Sequence, residues 1–265
     1  MYPFEYRKPG SLAAAVQALR DDDGAKLLAG GQSLLAAMRQ RLAMHSALVD
    51  IGALPELRGI RREGDRLVIG AGEKHADVAA SAAVAAAIPA LAALAGGIGD
   101  PLVRHMGTLG GSIANNDPSA DYPSAVLALD ARVTTTERVI DADAFFLGMF
   151  ETALGPAEIV TSVSFAIPRR AAYVKFPNPA SRYAMAGAFV AAHADGVRVA
   201  ITGAAPCVFR ATAFETALTR DFRPEALEGI ALDDADMLAD MHGSAAYRAH
   251  LAGVIARRAV AACLR

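Results

Sequence analysis

Two short stretches each set a Gly-Gly pair just ahead of a serine, and together they restrict what this chain can build. The first is Ala29-Gly30-Gly31-Gln32-Ser33, which follows the apolar run Lys26-Leu27-Leu28. The second is GTLGGSIANNDPSAD, from Gly107 to Asp121, a small and polar loop inside an apolar chain. Glycine has no Cβ, so it admits positive φ and lets a ligand come close to the backbone. In the order strand, glycines, helix, the unpaired N–H groups of a helix start and their partial positive charge face that opening. An anion, most often a phosphate, suits such a place. The second loop offers the same group types, with the hydroxyls of Thr108 and Ser112 and the amides of Asn115 and Asn116. Two anion-binding loops fit a diphosphate, either one loop per side or one on phosphate and the other on sugar. Asp121 would accept hydrogen bonds from ribose or ribityl hydroxyls. A Gly-Gly pair is also a common structural turn, and the residues alone leave both readings open.

Several other chemistries are excluded. Neither loop is Gly-x-Gly-x-x-Gly or Gly-x-x-x-x-Gly-Lys-Ser/Thr, so the Rossmann and Walker patterns fail. Gly31-Gln32-Ser33-Leu34-Leu35 misses the nucleophile elbow at its last residue. The net charge of −2 gives no reason to expect nucleic acid as a partner. No apolar run is long enough for a transmembrane segment, and the first residues carry no apolar signal core, so a cytoplasmic, soluble protein is expected. Cys207 and Cys263 are the only cysteines and lie far apart. They cannot hold an iron–sulfur cluster by themselves and read as buried thiols. His45, His75 and His105 lack metal spacing and read as surface or loop residues. Asp117, before Pro118, reads as a turn cap.

Periodicity divides the chain at residues 1–57, 58–168 and 169–265. In the first unit Ser11 caps a helix that ends before Gly24, Lys26–Leu28 is a strand, and Leu34, Leu35, Met38 and Leu42 recur at helical spacing. In the second, Arg66–Gly72 is a strand with Leu67, Ile69 and Ala71 alternating, and an alanine-rich helical region follows. The loop at Gly107, apolar Tyr122–Ala131 and the strand Arg132–Glu137 complete it. In the third, two strands flank the turn dipeptide Asp195-Gly196. A C-terminal amphipathic helix sets Tyr247, Leu251, Val254 and Ile255 on one face and its arginines largely elsewhere.

The stretches LLAGGQSLLAAMRQRLAMHSALVDIGALPELRGI and IGDPLVRHMGTLGGSIANNDPSADYPSAVLALDA resemble the FAD-binding subunit of the molybdenum hydroxylases. That family includes the medium chain of aerobic carbon monoxide dehydrogenase and the flavin domain of xanthine dehydrogenase. The likeness extends over nearly the whole chain. It implies an α+β protein, with a FAD-binding fold of the vanillyl-alcohol-oxidase (PCMH) type. In that fold two α/β subdomains clasp FAD and are followed by a C-terminal α+β domain of the CO dehydrogenase flavoprotein type. It also implies an oxidoreductase subunit that passes electrons onward. A large partner subunit would carry the molybdenum cofactor and a small one two [2Fe–2S] clusters, in a dimer of heterotrimers.

By the same resemblance, Leu28, Ala29, Gly30, Gly31, Gln32 and Ser33 match the first FAD loop, whose N–H groups face the pyrophosphate. Thr108, Leu109, Gly110, Gly111 and Ser112 match the second. Asn115 and Asp121 match positions meeting the ribityl or adenosine side. Ile159 and Val160 resemble an apolar lip over the adenine or flavin ring. Tyr183 aligns with an aromatic near the isoalloxazine, although the residues alone also allow a core or interface tyrosine. KFPNPASRY, residues 175–183, departs from relatives that are more basic there, so the resemblance assigns Lys175 no flavin contact. A stand-alone FAD-dependent oxidoreductase of the same fold superfamily is the alternative. An interaction subunit without flavin is a third reading, which both intact loops oppose.

Overall fold

Parallel pairing organises the first fifty residues. All 265 residues are described in the structure, a computed structural model. The first unit runs β1 (Glu5–Arg7), α1 (Leu12–Arg20), β2 (Lys26–Leu28), α2 (Leu34–Arg39) and β3 (Ala47–Asp50), with β3 paired in parallel to both β1 and β2. Central β3 buries Ala47, Leu48 and Val49 in succession, as a parallel strand covered on both faces does. Ser11 caps α1 as expected, its Oγ accepting from the Ala14 N–H, and Ala15 and Leu19 turn the same face inward. The helical spacing read through Leu42 stops short. α2 ends at Arg39, Arg41 takes a left-handed φ of 60°, and Leu42 is exposed.

The second unit contains β4 (Ile60–Glu63), β5 (Arg66–Gly70), α3 (His75–Ala80), α4 (Ala82–Ala87), α5 (Pro89–Gly96), α6 (Pro101–Met106), α7 (Leu109–Asn115) and α8 (Tyr122–Ala128). It continues through β6 (Arg132–Thr135), β7 (Val139–Asp141), α9 (Ala142–Phe145), β8 (Phe146–Gly148), β9 (Glu151–Thr152) and β10 (Val160–Ala166). Five strands form an antiparallel sheet in the order β4-β5-β10-β6-β7, and β8 and β9 form a separate ribbon. The alanine-rich helical region is divided into three helices. Ser81 leaves helical geometry and caps α4 through the Val84 N–H, and Pro89 excludes Ile88 from the helix. Within the stretch read as a loop from Gly107, Leu109–Asn115 forms α7, capped by the Thr108 hydroxyl on the Gly111 N–H at 3.1 Å.

The third unit is an antiparallel sheet of β11 (Arg170–Pro177), β12 (Ala184–Ala192), β13 (Val197–Thr202) and β14 (Phe209–Arg210), with α10 (Thr212–Arg220) and α11 (Ala245–Cys263). Asp195-Gly196 turns between β12 and β13, closed by the His193 N–H on the Gly196 carbonyl at 2.8 Å. β12 is buried almost throughout because its two faces feed two cores. Ala186, Ala188 and Val190 pack with Leu251, Ile255 and Ala259 of α11, whereas Phe189 and Ala191 join the core of the second unit.

The inward face of α11 differs from the sequence expectation at two residues. Tyr247 is well exposed, while Arg248 is buried at 4% exposure. Its guanidinium donates to the carbonyls of Met185 and Gly203, each at 2.9 Å, and pairs with Asp240 at 2.7 Å. A planar fork satisfies two buried carbonyls and one carboxylate together. Replacing it leaves those acceptors unpaired, so Arg248→Ala should lower unfolding free energy by about 2–4 kcal/mol, with Arg248→Lys recovering only part, in urea denaturation.

A second buried charge sits at the turn before β10. Glu158 accepts from the Thr135 hydroxyl at 2.6 Å, the Gly155 N–H at 2.8 Å and Arg138 at 3.1 Å. Burial pushes its carboxyl up, but these donors overcome that and hold it at about 2. A carboxyl depressed on folding contributes stability above its unfolded pKa and loses it as pH falls toward the folded one. Acid unfolding curves should therefore show stability falling between about pH 4.5 and pH 2, with a shallower slope in Glu158→Gln.

Candidate functional site

The two glycine stretches meet. A Cβ added to Gly30 would lie 2.6 Å from the Cα of Gly107 and against the Met106 carbonyl, so only glycine fits where the loop after β2 crosses the end of α6. Gly31 sits at φ +70°, the left-handed region that favours glycine. On the other side a Cβ on Gly111 would reach 3.8 Å from the Ala29 Cβ. In the run Leu28, Ala29, Gly30, Gly31, Gln32 and Ser33, Ala29 thus faces α7 and Gly30 the turn before it across a narrow seam.

Hydrogen bonding separates the two sides. The N–H groups of Gly30, Gly31, Gln32 and Ser33 donate to no acceptor within the protein. The Gln32 side chain folds back, its Nε2 donating to the Gly30 carbonyl at 3.2 Å. This side keeps the donor array expected of an anion loop. The second side does not. Leu109 N–H donates to Glu73, Gly110 N–H to Ala71, Gly111 N–H to the Thr108 hydroxyl and Ser112 N–H to the Thr108 carbonyl. Equal N–H donors on both sides were expected from the sequence. Here the carbonyls of residues 71–73 and the Thr108 cap have already consumed one set. What the second side presents is a surface: Gly111 and Ala114 are exposed along α7, with Ser112 and Asn115 partly so.

Asp121 also departs from its expected role. It is 5% exposed, and its carboxylate accepts from the Tyr173 hydroxyl and pairs with Lys175 at 3.0 Å. Burial pushes this carboxyl up, against the pull of the Lys175 ammonium and the Tyr173 hydroxyl. Lys175 donates as well to the Gly97 carbonyl at 2.9 Å, so β11 is tied to the segment before α6. Ile159 and Val160 form no lip. Both side chains are buried, Ile159 among Val49, Ile51, Leu54 and Leu57 of the first unit and Val160 in the core of the second. Asn116 ends α7 at φ 43° and turns inward, its amide donating to the carbonyls of Gly148 and Glu151. Tyr183 is half exposed in the turn between β11 and β12, and Asp117 caps its own turn through the Ser119 N–H at 2.8 Å.

Residues 2–169 match the family model described as the FAD binding domain in molybdopterin dehydrogenase. Residues 171–263 match the CO dehydrogenase flavoprotein C-terminal domain. The chain belongs to the FAD-binding subunits of the molybdenum hydroxylases. It is 37% identical to the carbon monoxide dehydrogenase medium chain of Hydrogenophaga pseudoflava, over 97% of this chain and 96% of that one. It is 36% identical to the nicotine 6-hydroxylase medium subunit of Paenarthrobacter nicotinovorans, over 96% and 95%. Its fold superposes on carbon monoxide dehydrogenase from Hydrogenophaga pseudoflava with a TM-score of 0.90, covering 100% of this chain and 99% of that one. The FAD-binding subunit is therefore an oxidoreductase component of the α+β architecture expected, and no helix is long and apolar enough to cross a membrane.

One buried residue next to the seam was missed. His75, read as a surface or loop residue, is 5% exposed beneath Gly107 and packs against Tyr122 with ring centroids 5.3 Å apart. Burial, helped by the charge of Arg104, holds its imidazole down at about 4. A lone histidine between charged Lys74 and Asp77 carries no sequence signal of burial. His45 is partly buried and His105 exposed.

The two glycines make separable predictions. Gly111→Val adds bulk on the exposed seam and presses only on the Thr108 hydroxyl within the protein, so FAD retention should fall at least tenfold in fluorescence titration while far-UV helix content stays nearly unchanged. Gly30→Ala pushes against backbone at Gly107, so it should lower the thermal midpoint as well as FAD binding.

Proposed function

We propose that this subunit holds the FAD diphosphate on the N–H groups of Gly30–Ser33 and receives electrons from [2Fe–2S] clusters of a small partner subunit. A large partner with the molybdenum cofactor would reduce those clusters, and an external acceptor would take the electrons onward. The observation that carries this reading is the set of four adjacent unpaired N–H donors on one side of a glycine-lined seam. Unpaired donors converging at a helix start suit a diphosphate, and each charge-assisted bond there is stronger than a neutral one.

The remaining contacts follow from what the seam presents. Gly111 and Ala114 give α7 a flat face, against which a cofactor lies without side-chain interference. The Ser112 hydroxyl and Asn115 amide take the sugar-like chain, and Thr108 and Leu109 fix the start of that helix rather than touching phosphate. Tyr183, half exposed beside Asp117 and Asp121, covers the flavin ring. Asp121, already paired with Lys175, positions β11 and adds a buried polar wall rather than a free acceptor. Bound FAD supplies the exchange between single-electron and two-electron donors, and the protein supplies its position and electrostatics.

Substrate choice lies outside this chain. Relatives named for carbon monoxide and for nicotine match it almost equally, at 37% and 36% identity. A dimer of heterotrimers in the cytoplasm is the assembly we propose. Purified full-length chain reconstituted with FAD should be yellow with about one flavin per chain, and should oxidise organic substrate only when both partners are present. A chain that stays colourless after reconstitution overturns the flavin reading. Turnover of a small substrate by the yellow chain alone favours the stand-alone oxidoreductase.

A further inference from the structure

His193 has a ring nitrogen 2.9 Å from the Ala128 carbonyl, whereas neither ring nitrogen of His75 has a hydrogen-bond partner within the protein. His75 is the buried one, and its two nitrogens differ. Nδ1 is sealed from solvent with no partner, whereas Nε2 is not among the sealed atoms although it too has no partner within the protein. Nε2 stands directly under Gly107, where an added Cβ would come within 2.6 Å of it. The Met106–Gly107 backbone in turn forbids a Cβ on Gly30. His75 Nε2, Gly107 and Gly30 therefore lie in series, too close for a side chain between them, from the buried ring to the unpaired N–H groups of the first loop. Around the ring, the backbone N–H of His75 donates to the Gly107 carbonyl at 3.0 Å, and the Tyr122 ring packs against the imidazole. A sealed imidazole without a partner is unfavourable, because its polar atoms have lost water and gained nothing. Glycine at 107 has no Cβ to fill the space beside Nε2.

We infer that His75 is a cofactor-binding residue whose Nε2–H donates to the diphosphate of the dinucleotide through the opening at Gly107. It supplies from the second unit the donor that the N–H groups of α7, already used internally, do not. Burial keeps the imidazole neutral at neutral pH in the unloaded chain, with its one proton available to donate from Nε2. This rests on the proposed FAD binding, and the test separates the two.

FAD affinity would be measured by flavin fluorescence on full-length chain carrying His75→Phe, which keeps the ring against Tyr122 but removes the donor, and His75→Gln, which restores an N–H donor. Expected are at least a tenfold weaker affinity for His75→Phe at unchanged thermal midpoint and recovery to within about threefold for His75→Gln. Riboflavin, which lacks phosphate, should bind both variants as it binds the unmodified chain. Equal FAD affinity in His75→Phe, or an equal loss for riboflavin, overturns the inference. Should the variants not fold, the unmodified chain with nitrogen-15 histidine decides. One imidazole resonance must shift on adding FAD, and six unmoved histidines overturn the assignment. An unmodified chain that binds no FAD refutes the proposed function instead.

Discussion

The close approach of Gly30 to the Met106–Gly107 backbone is the contact on which the arrangement depends. It joins the parallel three-stranded unit to the helices of the second unit at a place where neither backbone has room to give. With a side chain at residue 30, the loop after β2 would lift from α6, and Ala29 and Gly111 would no longer face each other. The buried side chain of Ile159 supports the same junction from beneath, because it is the second unit's contribution to the core of the first. Polar seam and apolar joint are thus held by one packing decision.

The two sides of that seam are unequal. After β2 the chain has no neighbour to accept its N–H groups, so four of them remain available. At α7 the neighbouring carbonyls of Glu73 and Ala71 accept two N–H groups and the Thr108 cap takes two more. One side offers donors and the other offers a close, smooth backbone. A diphosphate against the first and the flat length of a cofactor against the second suit this asymmetry better than symmetrical gripping by two equal loops.

The third unit reaches back onto the same region. Tyr173 and Lys175 hold Asp121, the Thr202 hydroxyl donates to the Pro118 and Ala120 carbonyls, and the Gly203 N–H donates to Pro118. Arg248 in turn holds the Gly203 carbonyl. Residues 116–121, a polar string in the sequence, are therefore fixed by contacts from β8–β9 on one side and β11–β13 on the other. The C-terminal domain acts here as a brace for the segment that follows α7, in addition to presenting Tyr183.

Local signals in the chain were sufficient for local features. Ser11 as a cap, Asp195-Gly196 as a hairpin turn, the glycine pairs at 30–31 and 110–111, and the family likeness they carry all depend on neighbouring residues, and the sequence contains those. The fate of each polar group depends on partners that are distant in sequence and close in space. Nothing near Gly110 reveals that Ala71 takes its N–H, nothing near Asp121 points to Lys175 fifty-four residues away, and nothing near His75 indicates that Tyr122 and Gly107 will bury it. Likewise Ile159 and Val160 read as apolar, but apolarity does not distinguish a lip from a core. The sequence by itself determined that two glycine turns could accept a diphosphate. Only the tertiary structure decided which turn keeps its donors, because a backbone N–H is free or spent according to the carbonyl that folding brings beside it.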